Sequence, residues 1–138
     1  MATRTGRMPS RRHEYEDVCW LASGQHGHVF KCIHLPTGRL YARKSLSMAG
    51  CPDARSQLVR EMSVLMRAKC AQVLGFEAIF VGCFGEDGGD QDETSLIVEY
   101  CANGSLADWL QKHGPVTERQ LALIARETVK ALSFMQKQ

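Results

Sequence analysis

Apolar residues follow two different patterns along this chain, and the pattern changes near residue 101. Short apolar runs that contain β-branched and aromatic residues predict strands, because such side chains suit a half-buried pleated surface. Five runs of this kind precede the change, at residues 18–22, 28–34, 40–44, 76–84 and 95–100. Pro36-Thr37-Gly38 separates the second run from the third and indicates a hairpin turn. The pattern therefore predicts an antiparallel sheet of about five strands.

Three other segments have helical spacing. The first should run from Asp53, a suitable N-cap residue, to about Ala68. The second should be capped by Ser105 and end near Lys112, and the third should follow the capping-box pattern of Thr117 and Gln120. One helix on a five-stranded antiparallel sheet, followed by two more helices, makes an α+β fold. Little chain remains to cover the apolar stripe of the third helix, so an exposed apolar face is expected along Leu121, Ile124, Thr128, Leu132 and Met135.

Composition narrows the classes of function. The 138 residues are 44% hydrophobic and 23% charged, as in a soluble globular domain, and the net charge of +2 gives no reason to expect nucleic acid or an anionic membrane as a partner. No apolar run approaches the roughly 20 residues that span a bilayer. Residues 1–14 are predicted to be a disordered basic tail, with a transit peptide as the alternative.

The six cysteines form no Cys-x-x-Cys pair, so a zinc site is not predicted, and reduced thiols in the cytoplasm are expected. Alternate positions could place His26, His28, Cys32 and His34 on one strand face. No second group of ligands accompanies them, and no metal-binding residues are predicted.

Two glycines lie in a tight turn between the first two strands, Gly24 and Gly27. Glycine lets backbone N–H groups approach an anion closely, although an ordinary hairpin would explain the same spacing. A dinucleotide-binding turn would lead into a helix, whereas here a strand-like run follows. A Walker P-loop would end in Gly-Lys-Ser/Thr, which does not occur. A glycine loop that closes a β-hairpin is the arrangement found in protein kinases.

A second signal is an acid on the apolar face of the first helix. Glu61 follows Leu58 by three residues and precedes Leu65 by four, so all three share one face. A carboxylate on a buried face is costly unless it is paired.

Four motifs in order resemble the protein kinases of MAP kinase cascades, that is, the MAP kinase kinases and their upstream relatives. They are Val29–His34, Thr37–Lys44 with its Ala42-Arg43-Lys44, Arg60-Glu61, and Ile97–Leu106. The resemblance extends from Tyr15 to the C-terminus. It implies a kinase small lobe with a glycine-rich loop over residues 15–101 and the start of a large lobe over residues 102–138.

The resemblance also implies roles for individual residues. Lys44, held by Glu61, would contact the α- and β-phosphates of ATP. Val98 would be the gatekeeper, and Glu99 and Cys101 would offer backbone groups to the adenine edge. The other nucleotide-binding residues implied are Leu21, Gly24, Gly27, Val29 and Ala42. The implied activity is that of a Ser/Thr or dual-specificity kinase, with ATP and Mg²⁺ as cofactors and a protein substrate, such as a downstream kinase.

The sequence also departs from the kinase pattern. Ala22 replaces the usual first glycine, and His-Arg-Asp, Asp-Phe-Gly and Ala-Pro-Glu occur nowhere in the 138 residues. The catalytic Asp and the Mg²⁺ ligands are therefore absent, so this polypeptide alone is expected to be inactive, as a fragment or truncated gene product. The alternatives are a non-catalytic kinase-like module that binds nucleotide or docks a partner, and an unrelated α+β protein with chance motifs.

Overall fold

The computed structural model describes residues 11–24, 27–47, 60, 62–63, 66–68, 70–81 and 93–137. Within these residues, a turn of 3₁₀ helix (Arg12–Glu14) leads into a five-stranded sheet. Its strands are β1 (Tyr15–Gly24), β2 (Gly27–His34), β3 (Arg39–Ser47), β4 (Phe76–Val81) and β5 (Glu93–Glu99). Neighbouring strands are antiparallel in the order β1-β2-β3-β5-β4. The sheet is followed by helices α1 (Leu106–His113) and α2 (Glu118–Gln136), which confirms the predicted α+β class.

Strand boundaries differ from those predicted. β1 is twice as long as its apolar run, because β2 supplies backbone partners from Tyr15 to Gly24. β5 begins at Glu93, two residues before the predicted run 95–100, and Thr94 is buried. Polar residues enter these strands because the ladder of hydrogen bonds, and not local hydrophobicity, determines where a strand ends.

Two other predicted segments are only partly described. Residues 12–14, which were assigned to the disordered tail, form the 3₁₀ turn, and residues 1–10 lie outside the described part. The predicted helix 53–68 is described at a few positions, where residues 60, 62, 63, 66 and 67 are helical. Glu61 lies outside the described residues.

Both C-terminal helices begin as the sequence predicts. The Ser105 side chain accepts a hydrogen bond from the backbone of Asp108, and the Thr117 side chain accepts one from the backbone of Gln120. Each helix thereby satisfies backbone donors that its first turn leaves unpaired. The apolar stripe of α2 is exposed as expected: Leu121 and Leu132 are each 56% accessible. No described helix has the length and apolar character needed to cross a membrane.

The main core covers one face of the sheet. It is formed by Tyr15, Cys32, Tyr41 and Ile97, with Phe80 packed against them. The ring of Tyr15 lies 5.8 Å from that of Tyr41 and 5.7 Å from that of Phe80. Because successive side chains of a strand point to opposite faces, the neighbours Ala42 and Lys44 lie on the other face.

Candidate functional site

Four of the predicted site residues share the sheet face opposite the core. Val29 on β2 pairs with Lys44 on β3, and Ala42 pairs with Val98 on β5. Directly paired residues of antiparallel strands share a face, with Cβ atoms about 4.5–5.5 Å apart. The side chain of Lys44 thus shares this face with three apolar side chains, an arrangement that suits a ligand that joins a flat ring to anionic groups.

Lys44 occupies a central position on this face. β3 has β2 on one side and β5 on the other, so Lys44 is paired with both Val29 and Leu96. Its side chain is half-buried. Its predicted partner Glu61 lies outside the described residues, and the ion pair between them stays a prediction.

The glycine turn has a steric requirement for Gly27. This residue has φ of 142°, a conformation that L-residues with side chains rarely adopt. A Cβ added there would lie 1.8 Å from the carbonyl oxygen of Ser45 on β3. Gly27 also pairs with Gly24 across the hairpin, whose tip, Gln25 and His26, lies outside the described residues. The close approach of β2 to β3 therefore demands glycine, whatever the turn binds.

Leu21 lies at an irregularity of β1. The pairing with β2 shifts register between Trp20 and Ala22, which leaves Leu21 as the extra residue. Such bulges redirect a side chain relative to the regular alternation of a strand. Leu21 is 37% exposed at this position, next to Ala22, which pairs with Val29.

Glu99 and Cys101 lie where β5 ends. The backbone N–H of Glu99 donates to the carbonyl of Gly75 at 2.8 Å, and its carboxylate accepts from the N–H of Gly75 at 3.1 Å. Cys101 is exposed, and its carbonyl accepts from the N–H of Gly104 at 3.2 Å. Hydrogen bonds thus hold the connection to α1 at both ends, next to Val98 on the sheet face opposite the core.

Asp108 is one turn beyond Ser105 and completes the cap of α1. Its carboxylate accepts from the Ser105 hydroxyl at 2.6 Å and from the Ser105 backbone N–H at 2.8 Å. These hydrogen bonds lower the pKa of Asp108. Its carboxylate therefore serves as part of the cap at the start of α1.

Sequence reasoning missed a polar cluster around Arg43, which is 4% exposed on the core face. Its Nε donates to Asp17 Oδ1 at 2.8 Å, a second nitrogen donates to Asp17 Oδ2, and Nη1 donates to Ser95 Oγ at 3.2 Å. Its guanidinium carbon lies 4.5 Å from the ring centre of Phe30. Strand alternation could have predicted that Arg43 lies on the sheet face away from Lys44. It could not have predicted the partners Asp17 and Ser95, which are 26 and 52 positions away in the sequence.

The chemistry of the described residues includes no metal centre. Among them, no three His, Cys, Asp or Glu side chains are grouped to hold a metal ion. Cys32 is fully buried, and burial raises the pKa of its thiol to about 11, so the thiol stays protonated at neutral pH. His28 forms a hydrogen bond with Ser23 at 2.8 Å across the hairpin, and His34 forms one with Thr37 at 2.8 Å.

The sequence is similar to known protein kinases over most of its length. It is 35% identical over 126 residues to mitogen-activated protein kinase kinase 7 of Arabidopsis thaliana, and 31% identical over 115 residues to the dual specificity mitogen-activated protein kinase kinase mek-2 of Caenorhabditis elegans. It is also 29% identical over 115 residues to the serine/threonine-protein kinase dst1 of Dictyostelium discoideum.

These matches cover 88%, 83% and 83% of this chain, but only 37%, 28% and 14% of the respective relatives. The chain thus spans a minor part of each relative's length. The sequence pattern of the protein kinase domain matches residues 15–138, which is nearly the whole chain. With the antiparallel sheet, the glycine turn and the lysine of β3 in the expected order, the chain belongs to the protein kinase family.

Proposed function

We propose that this chain is the ATP-binding part of a Ser/Thr or dual-specificity protein kinase, which transfers the γ-phosphate of ATP to a protein hydroxyl. The observation that carries the proposal is the shared face of the sheet, where Lys44 adjoins Val29, Ala42 and Val98. In this arrangement the side chain of Lys44 shares a sheet face with an apolar surface, next to the hairpin that ends in Gly24 and Gly27.

Different residues of the chain would contact the adenine and the phosphates of the nucleotide. Val29 and Ala42 pack on the adenine from the sheet face that they share, and Leu21 contributes apolar contact from the bulge. The Gly24–Gly27 turn covers the phosphates, and Lys44 contacts the α- and β-phosphates, held by Glu61.

Residues at the end of β5 would recognise the adenine ring. Val98 is the gatekeeper beside the ring, and the backbone groups of Glu99 and Cys101 meet its polar edge. Mg²⁺, when bound with ATP, neutralises charge on the phosphates, and its ligands in kinases come from motifs outside these 138 residues.

The proposal assigns two structural parts. Residues 15–101 form the small lobe with the glycine-rich loop, and residues 102–138 begin the large lobe. The protein substrate is a downstream kinase, a proposal suggested by the names of two relatives, and the site of action is the cytoplasm. The 138 residues alone transfer no phosphate, because positioning and metal charge supply nearly all of the catalysis.

Nucleotide binding by the chain tests the proposed site. Isothermal titration with ATP and with adenosine gives the contribution of the phosphates as the ratio of the two affinities. The variant Lys44→Met should lower this ratio by about tenfold or more, because it removes the cation that contacts the phosphates. Lys31→Met is the matched control, since Lys31 lies on the same face but is placed over the Tyr100 ring at 5.1 Å. Equal ratios for wild type and Lys44→Met would refute the proposal.

A second candidate is a non-catalytic kinase-like module that binds nucleotide or docks a partner kinase. In that case the chain would bind ATP and transfer no phosphate. The reading frame downstream of Gln138 separates the two candidates. Both motifs in that frame, and phosphate transfer by its product, support the kinase; an immediate stop codon together with ATP binding by the chain supports the module.

A further inference from the structure

We infer that Arg43 is a positioning residue for Lys44: from the opposite face of the sheet, it fixes the strand that presents the lysine to nucleotide phosphate. This inference rests on the proposed function. Arg43 precedes Lys44 directly, so its side chain lies on the core face while that of Lys44 lies on the ligand face. Arg43 does not contact the nucleotide in this arrangement, and it acts through β3.

The contacts of Arg43 join four strands. It belongs to β3, bonds to Asp17 on β1 and to Ser95 on β5, and stacks on Phe30 of β2. The planar guanidinium suits this task, because it can bind a carboxylate through two nitrogens while its face rests on an aromatic ring. The ammonium group of a lysine has neither several nitrogen donors in one plane nor a planar surface.

The hydrogen bonds between Arg43 and Asp17 connect β3 to β1, where the backbone hydrogen bonding of β1 is irregular. The pairing between β1 and β2 shifts register between Asp17 and Cys19, and again between Trp20 and Ala22. Each bulge disrupts the ladder locally and bends the strand. The Arg43–Asp17 bond crosses β2 and ties β1 to β3 directly at this point. β1 leads into the glycine turn, so the bond connects the two elements proposed to hold the phosphates.

Burial makes the arrangement rigid. Only 5% of the Arg43 side chain is accessible, whereas 36% of the Asp17 side chain is accessible. Ser95, on the interior strand β5, is fully buried. A buried guanidinium has to keep its partners, because leaving its charge uncompensated costs several kcal/mol. β3 therefore has little freedom to twist or slide, and small displacements of a phosphate-binding group reduce binding strongly.

The test separates positioning from mere stability. The paired variant Arg43→Met/Asp17→Leu replaces the ion pair by apolar side chains, an exchange that buried ion pairs often tolerate without loss of stability. Arg43→Lys keeps the charge attraction to Asp17. It loses the separate guanidinium nitrogens that bind Asp17 and Ser95 at the same time. We expect the ratio of ATP to adenosine affinity to fall by about tenfold in the paired variant and about threefold in Arg43→Lys, with adenosine affinity unchanged within about twofold.

The outcomes distinguish this inference from the function on which it rests. If Lys44→Met lowers the ratio while Arg43→Lys and the folded paired variant keep the wild-type ratio, Arg43 serves stability alone and the inference is overturned. If the paired variant does not fold, Arg43→Lys decides alone by the same criterion. If Lys44→Met itself has no effect, the proposed function fails, whatever the Arg43 variants do.

Discussion

Replacement of Gly27 by alanine tests the steric account of the glycine turn. A Cβ at this position meets the Ser45 carbonyl oxygen at 1.8 Å and its carbon at 2.8 Å, and both atoms belong to the backbone of β3. A backbone in a strand paired on both sides cannot move aside as a flexible side chain could. The φ of 142° adds conformational strain for any residue with a Cβ.

The chain can respond to the new methyl group in two ways. Keeping the fold in place costs about 1–3 kcal/mol for the backbone conformation and about 1–3 kcal/mol for the overpacking. Opening the end of the hairpin instead gives up the pairing of Gly27 with Gly24 and with Leu46, together with the bond between Ser23 and His28. At about 1 kcal/mol for each of three or four hydrogen bonds, that route costs about 3 kcal/mol. The first route costs about 2–6 kcal/mol in total, so the second route limits the expected loss to about 3 kcal/mol.

Urea denaturation of the chain measures this loss, with Gly38→Ala as the matched control. Gly38 also has a positive φ, of 67°, but a Cβ there would have no atom within 4 Å. Its replacement should cost only the conformational part, about 1 kcal/mol. We therefore expect Gly27→Ala to be less stable than Gly38→Ala by about 2 kcal/mol. Equal losses would refute the claim that the approach of Ser45 demands glycine.

Three further predictions concern the core and the C-terminal helices. Because burial raises the pKa of Cys32 to about 11, its contribution to stability is full below pH 9 and is lost as the pH rises towards about 11. The variant Cys32→Ala should not show this loss of stability at high pH. Iodoacetamide at pH 8 should modify the exposed Cys101 long before the buried Cys32. Hydrogen bonds, the largest effect coming from Lys130, lower the pKa of Glu127 from 4.5 to about 2. The difference in Tm between wild type and Glu127→Gln should therefore be full above pH 4.5 and vanish as the pH falls to about 2. Ser105→Ala should lower the free energy of unfolding by about 1 kcal/mol in urea titrations followed by circular dichroism, and an unchanged midpoint would mean that the cap of α1 contributes nothing.

The sequence was most informative where local patterns carry the physics. The caps at Ser105 and Thr117 were predictable because a capping box is formed within four consecutive residues. The antiparallel pairing of β2 with β3 followed from the turn at residues 36–38, whereas the order of the five strands was not predicted. That Lys44 and Val29 act at one site was implied by the resemblance to protein kinases and by no local pattern; the structure pairs the two residues on neighbouring strands.

What the sequence did not predict depends on contacts between distant segments. The polar residues at both ends of β1 carry no strand signal, and they are extended because β2 pairs with them. No local pattern marks Arg43 as buried, yet it is buried and hydrogen-bonded to Asp17 and Ser95, which are 26 and 52 residues away. The requirement for Gly27 likewise comes from Ser45, a residue of another strand. No single-residue preference encodes such distant pairings.

The central claim is that Glu61 holds the Lys44 ammonium against nucleotide phosphate, and a double-mutant cycle tests it most directly. The ratio of ATP to adenosine affinity is measured for wild type, Lys44→Met, Glu61→Gln and the double variant. If the two side chains act as a pair, Glu61→Gln lowers the ratio in the wild-type background and has almost no further effect once Lys44 is gone, a coupling of about 1 kcal/mol or more. Effects that add to within about 0.5 kcal/mol would contradict the account.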